Sequence, residues 1–527
     1  MSPRRGPVLS RRALLGLVGG AGAALTLGVA GYARLAGAST GRLLTSAARL
    51  PEPFTLPLPV PPTARPTSTE RGTDFYELDQ REGRIEILPG LKTTVWGYDG
   101  IFPGPTFHAR SGRRTEVRVR NGLTVPTAMH LHGGVTPPDS DGYPTDLVLP
   151  VQCAPGQSHG THGMSMEPGN TTTAYRTYTY PLPQPAATLW YHDHRMDFSA
   201  PQVWRGLAGF FLVGDDEEDR LPLPDGERDI PLMLCDRAFE ADGSFRYPAL
   251  DPTCTGRPGV EAAYMDGVLG DVQLVNGAPW PELEVSGTRY RLRFLNASNA
   301  RRYQLRLDTE NGGHAPFVQI GSDGGLLGAP QRLSVLDMAP AERFDVVVDF
   351  SAHPIGSRIT LVNTAAGGRM RQVMRFHIVR REKDDSHVPA RLSAFEKLTP
   401  TSAMPVRAFD FRRTNSSDEH AMWTINRRPF STTEALATPR LGSVERWRFS
   451  SDFHHPVHLH LAQFQVIARG NRPPLASDAG WKDTVDVRPY EVVEVLARFS
   501  GYKGRYMLHC HNLEHEDMAM MANFQVV

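Results

Sequence analysis

Residues 507–520 read MLHCHNLEHEDMAM and place Cys510 between two histidines, with a third histidine and methionines close behind. A disulfide would need no histidines, and a nucleophilic cysteine would need one base rather than three imidazoles. Thiolate, imidazole and thioether together are ligands for a soft, redox-active metal ion, and copper is the first candidate. The segment therefore predicts a copper site near the C-terminus.

The histidines of the chain are clustered, since ten of the 19 fall in four short segments. Each segment contains two histidines that are two residues apart: His130 and His132, His192 and His194, His458 and His460, His509 and His511. Residues two apart in a strand point to the same face, so each pair would present two imidazoles in one direction. One such pair is usually exposed or hydrogen-bonded, but four pairs predict a site for more than one metal ion.

Strand alternation also predicts the direction of the cysteine side chain. If Cys510 lies in a strand, its thiolate faces away from both flanking imidazoles. Three ligands are available on its side of the strand: Cys510, His515 and His455. A methionine would complete the His₂Cys geometry of blue-copper electron-transfer sites. Spacing alone does not choose among the candidates, which could also simply fill the core: Met518, Met520 and Met521.

Length and composition favour a multidomain all-β protein. A chain of 527 residues is too long for one hydrophobic core, so two to four domains are expected. Lys plus Arg and Asp plus Glu both total 57, which gives no sign of nucleic acid or a membrane surface as a partner. Short β-branched runs such as RFDVVVDF (343–350) and EVVEVLARF (491–499) predict strands.

The N-terminus predicts export. Arg11 and Arg12 stand directly before an apolar run rich in glycine and alanine, which is typical of a Tat signal recognised by the Tat export machinery. A transmembrane anchor is the alternative. The run is short and weakly hydrophobic, so cleavage, for example at 36–38, is favoured, with no stable membrane insertion afterwards. The protein is then secreted or held in the cell envelope. A proline-rich linker is predicted up to about residue 69.

With these motifs assembled, the chain resembles the multicopper oxidases, most of all bacterial laccases of the spore-coat type, with bilirubin oxidase and phenoxazinone synthase as near relatives. Four segments carry the resemblance: HLHGGVTPPDSDGYP (130–144), LWYHDH (189–194), HPVHLH (455–460) and HCHNLEHEDMAM (509–520). The resemblance implies three cupredoxin-like Greek-key β-sandwich domains after the signal and linker of residues 1–69. Their predicted bounds are 70–216, 217–390 and 391–527. The middle domain would mainly connect the other two.

The resemblance also implies four copper ions and their ligands. The type 1 ligands would be His455, Cys510, His515 and Met520, where the family spacing selects Met520 as the axial ligand. The type 2 ligands would be His130 and His458. The two type 3 ions would share six histidines: His132, His192, His194, His460, His509 and His511.

The activity implied is a laccase-like oxidation of phenols, aminophenols or bilirubin-like pigments, one electron at a time, coupled to four-electron reduction of O₂ to water. Acids at Glu516 and Asp141 would serve the proton supply; alternatively, Asp141 orders a turn and Glu516 is a solvated charge. A cuprous or metal oxidase in copper tolerance is the alternative function, and a copper store without turnover is a third. The segment 464–481 is short and has no methionine, which argues against the metal oxidase.

Residues 146–174 match the family poorly. Their soft-metal ligand types suggest either an auxiliary copper-binding loop or, as we favour, a polar surface loop: His159, His162, Met164 and Met166. Three cysteines remain besides Cys510, and an exported chain allows them at most one disulfide. Cys153 could tether this loop to Cys235 or Cys254.

Overall fold

The computed structural model describes residues 40–153, 169–415 and 421–527, and its regular elements are almost all strands. The helices in these residues are α1 (Ser199–Trp204) and α2 (Leu513–Asp517), with 3-10 turns at Pro138–Ser140, Glu218–Arg220, Gly226–Arg228, Ala262–Tyr264, Gly368–Arg371 and Ala476–Asp478. The predicted all-β class is confirmed. Within the described ranges, no helix has the length and apolarity that a membrane crossing needs. The twin-arginine segment and the four His and Met residues of the 146–174 loop lie outside these ranges.

Residues 68–214 form two sheets around one hydrophobic core. Their strands are β2 (Ser68–Glu70), β3 (Thr73–Ile85), β4 (Thr93–Tyr98), β5 (Gly104–Arg110), β6 (Arg114–Asn121), β7 (Met129–His132), β10 (Tyr175–Tyr180), β11 (Ala187–Asp193) and β12 (Ala208–Gly214). One sheet has the order β10-β6-β3-β2 with β4 beside β3, and the other has the order β5-β12-β11-β7. Strand β6 alternates buried Val117 and Val119 with outward charges, as a half-exposed strand should. In contrast, β11 is buried along its whole length.

The middle of the chain forms two larger sheets around a second core. Their strands are β13 (Asp229–Phe239), β14 (Phe245–Arg246), β16 (Val272–Val275), β17 (Ala278–Pro279), β18 (Glu282–Ser286), β19 (Arg289–Asn296), β20 (Tyr303–Thr309), β21 (His314–Ala315), β22 (Phe317–Ser322), β23 (Gly325–Leu333), β24 (Leu336–Met338), β25 (Arg343–Asp349), β26 (Arg358–Asn363) and β27 (Gln372–Arg380). One sheet is centred on β13-β19-β25-β22 and the other on β27-β26-β20. Together they form a second sandwich.

The C-terminal part forms the third pair of sheets. Its strands are β28 (Val406–Asn415), β29 (Ala421–Ile425), β30 (Ala435–Ala437), β31 (Val444–Ser451), β32 (His455–Leu459), β33 (Gln463–Arg469), β34 (Thr484–Val487), β35 (Val492–Arg498), β36 (Gly504–Cys510) and β37 (Met521–Val526). The sheet orders are β29-β28-β31-β35-β33 and β30-β37-β36-β32-β34. The core between them contains Trp447 and Phe449, and also Cys510 and Met520.

Two small parallel pairs lie outside these sheets. They are formed by β1 (Arg42–Leu44) with β15 (Val268–Gly270), and by β8 (Val148–Leu149) with β9 (Thr172–Thr173). The predicted linker is therefore extended and packed against the middle sandwich, where Leu58 donates its backbone N–H to the carbonyl of Glu282. The domain bounds after residues 216 and 390 stay predictions.

Strand pairing brings the histidine motifs together in twos. In the first sandwich β7 and β11 are antiparallel neighbours, and His130 lies opposite His192. In the third, β32 and β36 are antiparallel neighbours, and His458 lies opposite His509. Each of these two sheets therefore presents four histidines from two adjacent strands and from the residues directly after them, which are His194, His460 and His511.

Candidate copper centre

Eight histidine side chains from the two sheets meet in one buried cluster. Each is at most 1% exposed. Within the four sequence pairs the ring centroids lie 5.0 to 5.8 Å apart, which confirms that each pair points in one direction. The two sandwiches face each other directly, since His132 stacks on His458 at 3.6 Å and His130 on His460 at 3.8 Å.

The outer nitrogens of most of these rings are held by hydrogen bonds. Five rings turn Nδ1 to an oxygen acceptor: His130 to the Asp141 carbonyl (2.5 Å), His192 to the Asp193 carbonyl (2.9 Å), His458 to the Asp483 carbonyl (2.9 Å), His460 to the Asp141 carboxylate (2.7 Å) and His509 to the Cys510 carbonyl (3.2 Å). An imidazole that donates through Nδ1 keeps its lone pair on Nε2. These acceptors therefore orient five rings with Nε2 towards the cluster.

The inner nitrogens lack partners of their own. Six buried ring atoms have no hydrogen bond among the described residues: Nε2 of His130, His192 and His458, Nδ1 of His132, and both nitrogens of His511. The Nε2 atoms of His194 and His460 lie 3.3 and 3.2 Å from Nε2 of His509. Buried polar atoms without partners are costly, and convergent lone pairs repel each other unless a cation lies between them. The cluster therefore fits metal ions, and its all-imidazole donor set suits copper.

Burial keeps these imidazoles in the form that binds metal. Desolvation, followed by repulsion between neighbouring rings, lowers the pKa of His130, His460 and His511 well below the ordinary value. The pKa of His194 falls to about 4 for the same first cause. A neutral imidazole is the ligand form, so these rings need lose no proton at neutral pH.

A second, separate ligand group surrounds Cys510. Its Sγ lies 3.3 Å from Nδ1 of His455 and 3.6 Å from Nδ1 of His515, and these two nitrogens are 3.2 Å apart. The three donors form the trigonal arrangement of a His₂Cys copper site. Cys510 packs in the core of the third sandwich whereas His509 lies in the histidine cluster, as strand alternation predicts. Burial raises the pKa of the Cys510 thiol well above its usual value, so metal binding must displace its proton.

Spacing alone left three candidates for the axial methionine, and their burial distinguishes between them. Met520 is fully buried in the core cluster that contains Cys510, and its backbone joins both ligands: its N–H donates to the His515 carbonyl at 3.0 Å and its carbonyl accepts from Cys510 at 3.1 Å. Met518 is only partly buried against that core. Met521 packs in a different cluster with Tyr143. These contacts favour Met520 as the axial ligand.

We expect Met520→Leu to raise the reduction potential of the copper bound at Cys510. Leucine preserves the volume of the side chain but removes the thioether, which stabilises the oxidised metal ion. A redox titration of the visible absorption band measures the potential, and Met518→Leu is the matched control. A shift in the control but not in Met520→Leu would move the axial role to Met518.

Both acids named from the sequence lie against the histidine cluster. Oε2 of Glu516 is 3.2 Å from Nδ1 of His509, and Oε1 is 3.6 Å from Nδ1 of His194. Asp141 contacts His460 through its carboxylate. Both carboxyls are 1% exposed, so the interpretation of Glu516 as a solvated charge is wrong. Burial raises the pKa of both carboxyls, that of Asp141 well above its usual value. Their role in proton supply stays a prediction.

Sequence reasoning missed residues that come from distant segments. Nε2 of His132 contacts the Asp483 carboxylate at 3.0 Å, and Arg343 forms a two-pronged ion pair with that carboxylate. Burial alone would raise the pKa of Asp483, but Arg343 and His132 hold it well below its usual range. Trp423 stacks on the ring of His515 at 3.7 Å between centroids. The only signal was the charged pair in GWKDTV (480–485), which is unusual in a segment that ends in the buried strand β34.

The remaining cysteines provide no disulfide to the loop. Cys235 and Cys254 are buried free thiols. Burial raises the pKa of Cys235 to about 11, and the Cys254 Sγ accepts a contact from Arg205 at 3.5 Å. The tether from Cys153 to either of them, left open by the sequence, is therefore not formed.

Comparison with known proteins defines the class to which this fold and site belong. Multicopper oxidase family models match residues 80–218 and 403–527, the two regions that carry the histidine motifs. The chain therefore belongs to the multicopper oxidase family, and it is an oxidoreductase with four copper ions as its cofactor: one type 1, one type 2 and two type 3.

Individual relatives cover nearly the whole chain. A laccase of Bacillus subtilis (strain 168) is 34% identical over 89% of this chain and 98% of its own length. A bilirubin oxidase of Albifimbria verrucaria is 36% identical over 89% of this chain and 81% of its own length. The crystal structure of a laccase from Pediococcus acidilactici has a TM-score of 0.77 at 31% identity and covers 92% of this chain and 96% of that one. These matches confirm the predicted fold of three cupredoxin-like β-sandwiches.

Proposed function

We propose that this protein is a laccase-like oxidase that takes single electrons from phenolic or aminophenolic reductants, or from bilirubin-like pigments, and reduces O₂ to water. One observation carries the proposal: Cys510, in the trigonal site, is flanked in the chain by two histidines of the cluster. A protein that only stores copper has no need of two different sites joined by a single peptide. When bound, copper supplies one-electron redox chemistry at the first site and oxygen reduction at the second.

Strand pairing fixes the position of the trigonal site relative to the histidine cluster. Val457 pairs with Cys510 and His458 with His509 across β32 and β36, so both sites share one stretch of sheet. Burial of every ligand excludes bulk water from the histidine cluster. Glu516 and Asp141 are the buried acids in contact with that cluster, and we propose that they hold the protons that oxygen reduction consumes.

Reductants would approach the trigonal site from the side of His515. Its Nε2–H donates to the backbone carbonyl of Asp266 at 3.2 Å, and Trp423 covers its ring face. Arg413 forms an ion pair with the Asp266 side chain at 2.9 Å, and both side chains are partly exposed. The surface above the site therefore presents one cationic and one anionic group, with the buried indole of Trp423 beneath them. Such a surface suits an aromatic molecule with hydroxyl or amino substituents.

The metal-oxidase alternative is not favoured. The segment between β33 and β34 contains a short 3-10 turn and no methionine, so it offers no thioethers to bind a cuprous ion as substrate. One related structure, from Campylobacter jejuni, is described as a metallo-oxidase, at 25% identity and a TM-score of 0.73. The assay must therefore include cuprous ion as a competing reductant.

The test is to load the purified protein with copper and follow its visible spectrum and its oxygen uptake with 2,6-dimethoxyphenol, 2-aminophenol and Cu(I). We expect an intense blue band and oxygen consumption with the phenols, without release of peroxide. Turnover with Cu(I) alone would replace the proposal by the metal oxidase. Copper binding without any oxygen uptake would leave the storage protein.

A further inference from the structure

Arg343 is a fully buried arginine of the middle sandwich that reaches the histidine cluster. All five of its N–H donors are used. Nε donates to the Thr188 carbonyl of β11 at 3.0 Å, Nη1 to the Ala341 carbonyl at 2.9 Å, and Nη2 to the Asp323 carbonyl at 3.2 Å. The remaining two donors grip the carboxylate of Asp483, with Nη1 to Oδ1 at 2.7 Å. One guanidinium therefore joins all three sandwiches.

Asp483 links Arg343 to two of the predicted copper ligands, His132 and His458. Its Oδ1 lies 3.0 Å from Nε2 of His132, in the first sandwich. Its backbone carbonyl accepts from Nδ1 of His458, in the third, at 2.9 Å. Thr484 adds a hydroxyl 2.9 Å from the same Oδ1. The carboxylate is thus fixed from both sides, by the guanidinium and by its own neighbour.

The contact with Asp483 determines the orientation of the His132 ring. Five rings of the cluster donate through Nδ1 and present Nε2, whereas His132 uses Nε2 for the carboxylate and leaves Nδ1 without a partner. An acceptor fixes which nitrogen carries the proton and which is free to bind a metal. Ring stacking restrains the plane of His132 but not which nitrogen faces inward, and the Thr484 hydroxyl at 3.2 Å is the other Nε2 partner among the described residues.

The backbone beside His132 is shaped to admit this contact. Gly133 has a φ of +86°, and a Cβ built on it would lie 2.7 Å from Nη2 of Arg343 and 2.9 Å from Oδ2 of Asp483. A side chain at residue 133 would push the ion pair away from the ligand strand. Glycine at position 133 therefore permits the ion pair of Arg343 and Asp483 to approach the strand that carries His132.

We propose that Arg343 is a positioning residue for the histidine-bound copper ions: by holding Asp483 it fixes His132 with Nδ1, and His458 with Nε2, towards the metal. The middle sandwich then does more than connect its neighbours, since it sets the geometry of a site to which it gives no ligand. This inference rests on copper binding in the proposed function but does not depend on the reductant or on oxygen.

The mechanism of the effect is the loss of a paired charge. Removing the guanidinium leaves the buried Asp483 carboxylate without two of its hydrogen-bond donors and without its cation, so the carboxylate is no longer held in place. A displaced carboxylate holds the His132 ring less firmly. Lysine carries the charge but not the planar two-pronged geometry, so it should restore the site only in part. Losing an outer partner of a metal ligand typically weakens metal binding about 10- to 100-fold.

The experiment compares Arg343→Gln and Arg343→Lys with Arg291→Gln. Arg291 is a matched control, because it is also buried in the middle sandwich and ion-paired, to Glu218 and Asp345 at 2.6 Å each, but contacts no histidine of the cluster. Copper per chain, the blue band and the type 2 electron paramagnetic resonance signal are recorded during titration with a chelator. Thermal unfolding gives the loss of stability of each variant.

In Arg343→Gln we expect the type 2 signal to change its hyperfine splitting and the cluster copper to be lost at about 10- to 100-fold lower chelator concentration, while the blue band persists. Arg343→Lys should fall in between, and Arg291→Gln should unfold earlier yet keep its copper and an unaltered signal. An unaltered signal and copper content in Arg343→Gln would overturn the proposal. An equal copper loss in Arg291→Gln would also overturn it, because the role would then be merely structural.

If Arg343→Gln does not fold, Asp483→Asn provides the same test with the size of the side chain retained. The same selective loss of cluster copper is expected, and retention of all copper with an unaltered type 2 signal would refute the proposal. The proposed oxidase function fails separately: a wild-type protein with four coppers and no oxygen uptake would reject that function and leave the copper measurements valid.

Discussion

Cys510→Ser is expected to abolish the blue band and to reduce oxygen uptake with phenolic reductants to background, while copper remains bound at the histidine cluster. The thiolate is the one sulfur anion of the trigonal site, and it lies 3.3 and 3.6 Å from the two histidine nitrogens. A hydroxyl is a poor copper ligand that keeps its proton at neutral pH. Visible absorption, copper analysis and oxygen uptake on the same sample measure the three effects.

Cys254→Ser is the matched control for this variant. Cys254 is also a fully buried free thiol, but its Sγ contacts Arg205 and not a histidine. Its replacement should leave the blue band and oxygen uptake as in the unmodified protein. A blue band that survived in Cys510→Ser, or vanished in Cys254→Ser, would show that the trigonal site is assigned to the wrong cysteine.

Glu516→Gln is expected to slow oxygen consumption about 100-fold with copper content and spectrum unchanged, which is the lower range for loss of a group that transfers protons. Its carboxyl lies 3.2 Å from the ring of His509 and is sealed from solvent. Burial raises its pKa, so the carboxyl is closer to uptake of a proton at neutral pH than a surface glutamate. Glutamine has the same size but carries no transferable proton. Steady-state oxygen uptake under saturating reductant measures the rate.

Glu514→Gln controls for burial and position on the same helix. Glu514 is buried too, and burial raises its pKa to about 7, but its oxygens accept from Tyr247 and Asn299, away from the predicted ligands. This variant should retain most of its oxygen uptake. Equal losses in the two variants would point to damage of the helix, and full activity in Glu516→Gln would exclude the proton role.

The sequence could reveal the parts of the site that depend on local periodicity. Strand alternation correctly predicted that His509 and Cys510 face different sites, because the direction of neighbouring side chains follows from strand geometry alone. It also predicted that the histidines of each pair would point together. The predicted ligands of the third sandwich lie in two short segments on or beside neighbouring strands, so their spacing in the sequence was enough to identify them.

The parts that depend on distant contacts could not be found in this way. Arg343 approaches His132 through Asp483, and these residues are separated by more than a hundred positions along the chain. Trp423 and Asp266 enclose His515 from two further segments. In sequence, Arg343 is one charge at the start of a strand, and Trp423 is one aromatic residue within a strand. Arg343 gains its role only when the three sandwiches dock, and Trp423 gains its role only when the third sandwich folds.

Strands β32 and β36 contribute to both sites, but the two sites depend on different parts of the folded protein. All the predicted ligands of the trigonal site belong to the third sandwich, whereas the histidine cluster is completed only when the first sandwich closes against it. A molecule whose sandwiches were correctly folded but imperfectly docked would still turn blue. The blue band therefore shows only that the third sandwich is folded. The type 2 signal or turnover is needed to show that the first and third sandwiches are docked.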